Sequence, residues 1–193
     1  LMPNYNIISQ GSTKIAKSNK IQDKYFSRIV YLAPDDLADG KNTLCPYAKI
    51  AKCSEACLNT AGMGKFSNVQ QSRIKKSLWF INDRSGFMTA LVKDVRTFLR
   101  ECDRLGKLPA LRLNGTSDIQ WETIEVEGHT NIFELFPQIQ FYDYTKIPTR
   151  KVEHIPNYHL TWSYSEANDK YATLFDKVSN NKAVVFRYAL PTM

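Results

Sequence analysis

The chain has 193 residues, of which 43% are hydrophobic and 23% charged, a composition that excludes a disordered or low-complexity protein. No apolar run approaches the roughly 20 residues of a membrane span, and the start lacks the basic and apolar regions of a signal peptide. The net charge of +7 comes from basic residues crowded into residues 14–28 and 65–76, with others at Arg150 and Lys151. Because no nucleic-acid motif accompanies them, we interpret these as solvated faces and regard nucleic acid as a weakly supported partner.

The first half of the chain predicts one strand followed by two helices. Residues 26–33 read as a strand that ends at Pro34 and an acidic turn. A loop at residues 39–64 follows, and residues 68–81 and 84–105 then show helical periodicity. In the second helix the apolar positions recur every three or four residues, at Phe87, Leu91, Val95, Phe98 and Cys102. Cys102 therefore reads as a core thiol.

The second half of the chain alternates strands with short helices. Strands are predicted at residues 109–114, 139–144, 158–163 and 183–188. Helices are predicted near residues 119–126 or 132–136, and at residues 166–177. Alternation of this kind indicates a parallel sheet, so we expect one α/β domain over residues 1–193. Its architecture is a partial (β/α) barrel or an open parallel sheet of five to six strands with flanking helices.

Three of the four cysteines lie within thirteen residues, at Cys45, Cys53 and Cys57. On a helix, Cys53 and Cys57 would share one face, and Cys45 would return from the preceding turn. In a reducing compartment such a cluster favours a metal or redox centre over a disulfide. Three thiolates suit a 4Fe-4S cluster that keeps one iron open. Zinc with a fourth ligand of another type, and a disulfide with free thiols, remain alternatives.

Polar side chains follow the later strands at the points where they end. Asn114, Ser117 and Asp118 follow one strand, and Asp143 and Lys146 stand at the end of the next. Ligands of parallel α/β folds bind at the carboxyl ends of the strands, so we expect these five side chains to line a ligand site beside the thiols. Asp143 and Lys146 would form a charge pair there. Alternatively, these five residues only stabilise turns and cap helices.

The three histidines, His129, His154 and His159, are weak candidates for a fourth ligand because each stands alone in a loop or strand. The sequence contains no HExxH, GxGxxG, P-loop or serine-hydrolase pattern. Hydrolase and nucleotide-binding functions therefore lose support.

Four strings stand out as long and jointly specific: Leu58-Asn59-Thr60-Ala61-Gly62; residues 112–119 with Trp121-Glu122; Phe141-Tyr142-Asp143-Tyr144-Thr145-Lys146; and Asn157-Tyr158-His159-Leu160-Thr161. Together they resemble the bacteriophage gene product 88 family, from about Asn6 to Leu190. The resemblance implies a phage-encoded protein of the bacterial host cytoplasm or the virion. It also implies that the three cysteines hold an iron-sulfur cluster on a partial barrel similar to that of radical S-adenosylmethionine enzymes.

The cysteine spacing differs from that of the radical enzymes. Those enzymes carry Cys-x3-Cys-x2-Cys, whereas this chain has Cys-x7-Cys-x3-Cys. We therefore expect an iron-sulfur protein with a redox, sensory or structural role. A radical enzyme that binds S-adenosylmethionine at the open iron is the alternative, and a zinc-stabilised structural or nucleic-acid-binding protein is a further one.

Overall fold

A computed structural model describes the fold of residues 6–9, 13–21, 24–53, 57, 66–164, 169–176 and 182–183. The strands of these residues form one sheet of six strands, whose order in space is their order in the chain. Their bounds are β1, Ile8–Ser9; β2, Tyr25–Val30; β3, Leu108–Arg112; β4, Gln140–Thr145; β5, Tyr158–Ser163; and β6, Lys182–Ala183. Only β1 is antiparallel to its neighbour, and β2 to β6 are parallel.

Helices lie between most consecutive strands, whereas residues 146–157 join β4 to β5 by turns alone. The helix bounds in the described residues are α1, Thr13–Ile21; α2, Ser67–Asn82; α3, Arg84–Leu105; α4, Ile132–Leu135; and α5, Asp169–Asp176. The expected α/β class is confirmed, and the sheet is open, with β1 and β6 as its edges. Among the described helices, none is both long and apolar enough to cross a bilayer.

Helix α3 packs against the sheet through the apolar stripe that its periodicity predicted. The Phe98 ring stacks on Phe26 of β2, with 6.1 Å between the ring centroids. Cys102 is 1% exposed within this core, which confirms its assignment as a core thiol, and burial raises its pKa to about 11. Asp83 caps the start of the helix through the Gly86 N–H, and Gly106 ends it with a left-handed φ of 63°.

The structure differs from the prediction in several elements. The short β1 and the polar α1 were not predicted, because neither carries a clear apolar period. The first predicted strand ends at Val30 instead of residue 33, because the Ala33 N–H donates to the Ser77 hydroxyl (2.8 Å) and not to a neighbouring strand. Residues 119–126 contain a 3-10 turn at Trp121–Thr123 but no α-helix, whereas α4 confirms the alternative helix. The predicted strand at residues 183–188 lies mostly outside the described residues.

Candidate metal and ligand site

The carboxyl ends of β2, β3, β4 and β5 meet at one edge of the sheet, where the loops line an open-sided cavity of about 150 Å³. Its walls combine two thiols with polar strand-end side chains: Cys45, Ala48, Cys53, Ser117, Asp118, Tyr144, Thr145, Lys146 and Ser163. Two of the three predicted cysteine ligands and three of the five predicted rim residues therefore share one cavity.

Hydrogen bonds to the turn after β3 hold the cysteine loop over this edge. The Asp118 N–H donates to the Leu44 carbonyl oxygen at 2.8 Å. The Cys45 Sγ atom lies 3.8 Å from the Thr116 carbonyl oxygen. These contacts place Cys45 directly above the strand ends, so that it faces the same cavity as Cys53 despite their separation in sequence.

The predicted helical arrangement of Cys53 and Cys57 depends on residues 54–56, which lie outside the described residues. Before Cys53 the chain runs in turns, and Lys52 has a left-handed φ of 48°. Cys57 itself is half-buried. Its charge lies close enough to the other two sulfurs to raise their pKa values.

Burial dominates the acid-base behaviour of the cavity thiols. It raises the pKa of Cys45 to about 12, and the charge of Asp118 adds to this effect. Burial also raises the pKa of Cys53, although the nearby Lys146 charge opposes the shift. Both thiols are therefore protonated near neutral pH in the metal-free protein, and metal binding would release their protons.

A complete set of metal ligands is not assembled within the described part of the chain. No three Cys, His, Asp or Glu side chains there are arranged to hold a metal ion. His129, His154 and His159 do not line the cavity. The structure thus brings two thiols to one cavity, with the third thiol nearby.

Asn114 organises the turn after β3 and does not line the cavity. Its Oδ1 atom accepts hydrogen bonds from the Ser117 hydroxyl (3.0 Å), the Ile119 N–H (2.9 Å) and the Trp121 indole N–H (3.0 Å). Its Nδ2 atom donates to the Ile119 carbonyl oxygen at 3.0 Å. Because the protein itself uses these groups, Asn114 positions Ser117 at the cavity wall instead of contacting a ligand.

Asp118 lies at the cavity wall with its carboxylate held on both oxygens. The Thr145 hydroxyl donates to Oδ1 at 2.7 Å, and the Lys146 backbone N–H donates to Oδ2 at 2.8 Å. Arg150 approaches Oδ1 through Nη1 at 3.3 Å. Burial raises the pKa of Asp118, while these donors partly offset the shift.

Arg150 is a buried structural cation, so its assignment to a solvated basic face is wrong. The same assignment is wrong for Arg73 and Lys76 of α2, which are also buried. Arg150 is 2% exposed. Its Nε and Nη2 atoms donate to the two carboxylate oxygens of Glu122 at 2.9 and 2.6 Å, and Nη2 also donates to the Tyr158 hydroxyl at 2.8 Å. The local sequence gives no sign that Arg150 is buried, because its basic neighbour Lys151 is exposed.

The predicted charge pair between Asp143 and Lys146 does not form. Asp143 accepts the Asn114 N–H at 2.8 Å, and its Oδ1 atom lies 3.7 Å from the Arg112 Nε atom. Burial raises the pKa of Asp143 to about 7, although Arg112 opposes the shift. Asp143 therefore lies behind the cavity, whereas Lys146 lies at its wall.

Four residues of the cavity wall are not among the predicted site residues: Ala48 in the cysteine loop and three strand-end residues, Tyr144, Thr145 and Ser163. All three lie in the last two residues of β4 or β5. Their position directly beside predicted rim residues was the available signal. A larger groove of about 410 Å³ lies elsewhere, between the start of α3 and residues 123–127, and no cysteine lines it.

Comparison with known proteins supports one family. The model of the gene product 88 family matches residues 6–192, nearly the whole chain. No curated protein and no solved structure gives a significant match.

Proposed function

The chain belongs to the gene product 88 family, and we propose that this phage-encoded member binds one 4Fe-4S cluster through Cys45, Cys53 and Cys57. The observation that carries the proposal is the cavity at the carboxyl edge of the sheet, which Cys45 and Cys53 line together. The protein would serve a redox, sensory or structural role in the cytoplasm of the infected bacterium.

The donor chemistry of the cavity favours an iron-sulfur cluster. Thiolates are soft ligands that suit iron-sulfur clusters and zinc, whereas magnesium and calcium prefer oxygen. Zinc would need a fourth ligand, and the carboxylate at this cavity, Asp118, is already held by Thr145 and Arg150. A cluster requires no fourth protein ligand. Cys57 would supply the third thiolate, since it lies close enough to Cys45 and Cys53 to raise their pKa values.

The bound cluster would supply one-electron chemistry, and the surrounding residues would control access to it. Ser117, Tyr144 and Lys146 lie on the cavity wall with the thiols, so these side chains would contact a small molecule at the open position. This polar wall is also the observation that favours a second candidate, a radical enzyme that binds S-adenosylmethionine. The altered cysteine spacing and the open sheet argue for the non-enzymatic role.

Anaerobic purification and reconstitution test the proposal. We expect about four irons and four sulfides per chain, with broad absorbance near roughly 400 nm that bleaches on reduction. Cys45→Ala, Cys53→Ala and Cys57→Ala should each lose the iron. Cys102→Ala is the matched control, because this buried thiol lies in the core; it should keep the iron and cost about 1–2 kcal/mol of stability.

Three results would contradict this assignment. If the protein is colourless and carries stoichiometric zinc, the three cysteines hold zinc and not an iron-sulfur cluster. If Cys102→Ala loses the iron and the other three variants keep it, the metal site involves Cys102 and not the three assigned cysteines. Formation of 5′-deoxyadenosine on addition of S-adenosylmethionine to the reduced protein would overturn the non-enzymatic role and establish the second candidate.

A further inference from the structure

The two faces of the sheet have different surroundings. On one face, Phe98 of α3 stacks on Phe26, with 6.1 Å between the ring centroids. On the same face, Phe133 of α4 stacks on Tyr158 at 4.1 Å. Side chains alternate between the faces along a strand, and paired residues of neighbouring strands share a face. The register therefore places the following residues of β2 to β5 on the other face, which we call the tyrosine face: Tyr25, Arg112, Gln140, Tyr142, Tyr144 and His159.

Aromatic and polar side chains of the tyrosine face reach solvent. Tyr144 is 46% exposed, and Gln140 and His159 are exposed as well. Tyr25 and Tyr142 are half-buried, so part of each side chain is accessible. Helices normally cover both faces of a parallel sheet. Exposed aromatic rings on such a face therefore indicate a surface that binds a partner.

Positive charge lies beside these rings. The Arg112 guanidinium is 5.1 Å from the centroid of the Tyr144 ring. The Lys24 Nζ atom is 5.4 Å from the centroid of the Tyr25 ring. Asp143, on the opposite face, partly balances the Arg112 charge at 3.7 Å. The residues of β2 to β5 on the tyrosine face itself include no Asp or Glu, so this face favours an anionic partner.

Helix α1 adds basic side chains at the β2 edge of the tyrosine face. The Asn19 Oδ1 atom accepts the Ser27 N–H at 2.8 Å, and the Asn19 Nδ2 atom donates to the Ser27 carbonyl oxygen at 3.0 Å. These two bonds fix α1 beside the outer edge of β2. Lys17, Lys20 and Lys24 are exposed there, and none of the three forms an ion pair with another described residue. This lysine edge can therefore neutralise phosphate groups.

We propose that the tyrosine face binds single-stranded nucleic acid, with unpaired bases stacked on its tyrosines and phosphates held along the lysine edge. Aromatic rings stack on bases of any sequence, and a basic groove or edge follows the phosphate backbone. A duplex hides the faces of its bases, so rings on a sheet surface reach them only in a single strand. A second copy of the chain would bring its own net charge of +7 to the same basic edge, so charge disfavours self-association. The inference requires no metal and is independent of the proposed function.

Fluorescence anisotropy with a labelled oligothymidylate strand at low salt tests the stacking surface. Tyr144→Ala should weaken binding by about fivefold or more, because each stacked base contributes at least about that factor. Tyr144→Phe keeps the ring and should bind like wild type. Phe66→Ala is the matched control, because it removes a ring that is 49% exposed at the start of α2; its affinity should equal that of wild type.

The salt dependence of binding tests the lysine edge. The double variant Lys20→Ala and Lys24→Ala should reduce the slope of log K against log salt concentration by about 1.4, since each lost single-strand phosphate contact contributes about 0.7. Lys93→Ala is the matched control, because it removes an exposed lysine from α3, which packs on the opposite face. The slope of Lys93→Ala should equal that of wild type.

One further variant covers a loss of folding in Tyr144→Ala. His159→Glu adds a carboxylate at an exposed position of the tyrosine face and removes no ring that packs in the core. A negative charge about 4 Å from a phosphate in water weakens binding by about fivefold. Circular dichroism establishes that each variant is folded.

Several results would overturn the proposal. Wild-type protein that does not bind the strand at low salt, or that binds the oligothymidylate–oligoadenylate duplex as tightly, excludes single-strand recognition. Folded Tyr144→Ala and His159→Glu with wild-type affinity exclude the tyrosine face. An equal loss of slope in Lys93→Ala shows that the charge acts without regard to the face. If light scattering shows a dimer that Tyr144→Ala dissociates, the face binds a second copy and not nucleic acid.

Discussion

Removal of the Arg150 guanidinium should be among the most destabilising single changes at the carboxyl edge of the sheet. The side chain has no exposed surface, and it is held between Glu122 and Asp118. Arg150→Met keeps much of the volume but leaves both carboxylates without their cation. A buried ion pair that loses one partner typically costs about 3–5 kcal/mol.

An exposed ion pair of the same type provides the matched control. Arg96 and Glu127 also pair through two hydrogen bonds, but their side chains are 51% and 39% exposed. Solvent-exposed pairs contribute about 0–1 kcal/mol, so Arg96→Met should be nearly neutral. Both variants remove a guanidinium from a glutamate; the two sites differ in burial and in the second carboxylate, Asp118, that Arg150 also contacts.

Urea denaturation followed by circular dichroism measures both effects as changes in midpoint at constant slope. If Arg150→Met loses stability because a buried carboxylate is left uncompensated, adding Glu122→Gln should recover part of that stability. A double-mutant cycle then measures the coupling free energy between Arg150 and Glu122. An Arg150→Met protein as stable as Arg96→Met would refute the reasoning. So would a double variant in which the two losses simply add.

Two other changes test the loops and charges behind the cavity. Gly115→Ala should cost about 1–3 kcal/mol in urea denaturation, because an added Cβ would lie 2.5 Å from the Tyr31 ring and 2.7 Å from the Val30 carbonyl oxygen. Gly128 has a positive φ, but a Cβ there would meet no atom within 4 Å, so Gly128→Ala measures the backbone cost alone, about 1–2 kcal/mol. If Gly115→Ala is as stable as wild type, the predicted clash is excluded. Burial raises the pKa of Asp143 from 3.8 to about 7, so the folded protein binds the extra proton between these values and its stability falls as pH rises through them. The stability of wild type relative to Asp143→Asn should therefore decrease from about pH 4 to about pH 7, and a difference that is flat over this window would contradict the shift.

Much of the fold could be predicted because its signals are local. The apolar spacing of α3 and its end at Gly106 follow from one turn of helix to the next, and the structure confirms them. The strands β4 and β5 carry β-branched and aromatic residues between turn residues, and β3 carries a short apolar run, so their existence was clear. In contrast, β1 has two residues and α1 carries a polar sequence, and each forms through its contacts with β2.

The site divides in the same way. The residue types of the cysteine loop and the strand ends already indicated where ligand chemistry concentrates, because parallel strands end at one edge of their sheet. Which of these side chains face the cavity depended on partners distant in sequence. Asp143 is held by Asn114 and Arg112, whereas Lys146 is held by Ser163.

The sequence by itself therefore determined the α/β class, the order of the main strands and helices, and the cluster of thiols, because each depends on spacing along the chain. Only the tertiary structure decided that Ser117, Asp118 and Lys146 line the cavity while Asn114 and Asp143 do not, and that Arg150 is a buried cation while Lys151 beside it is exposed. The physical reason is that burial and charge pairing are properties of neighbours in space. Those neighbours come from strands and loops that are far apart in the sequence.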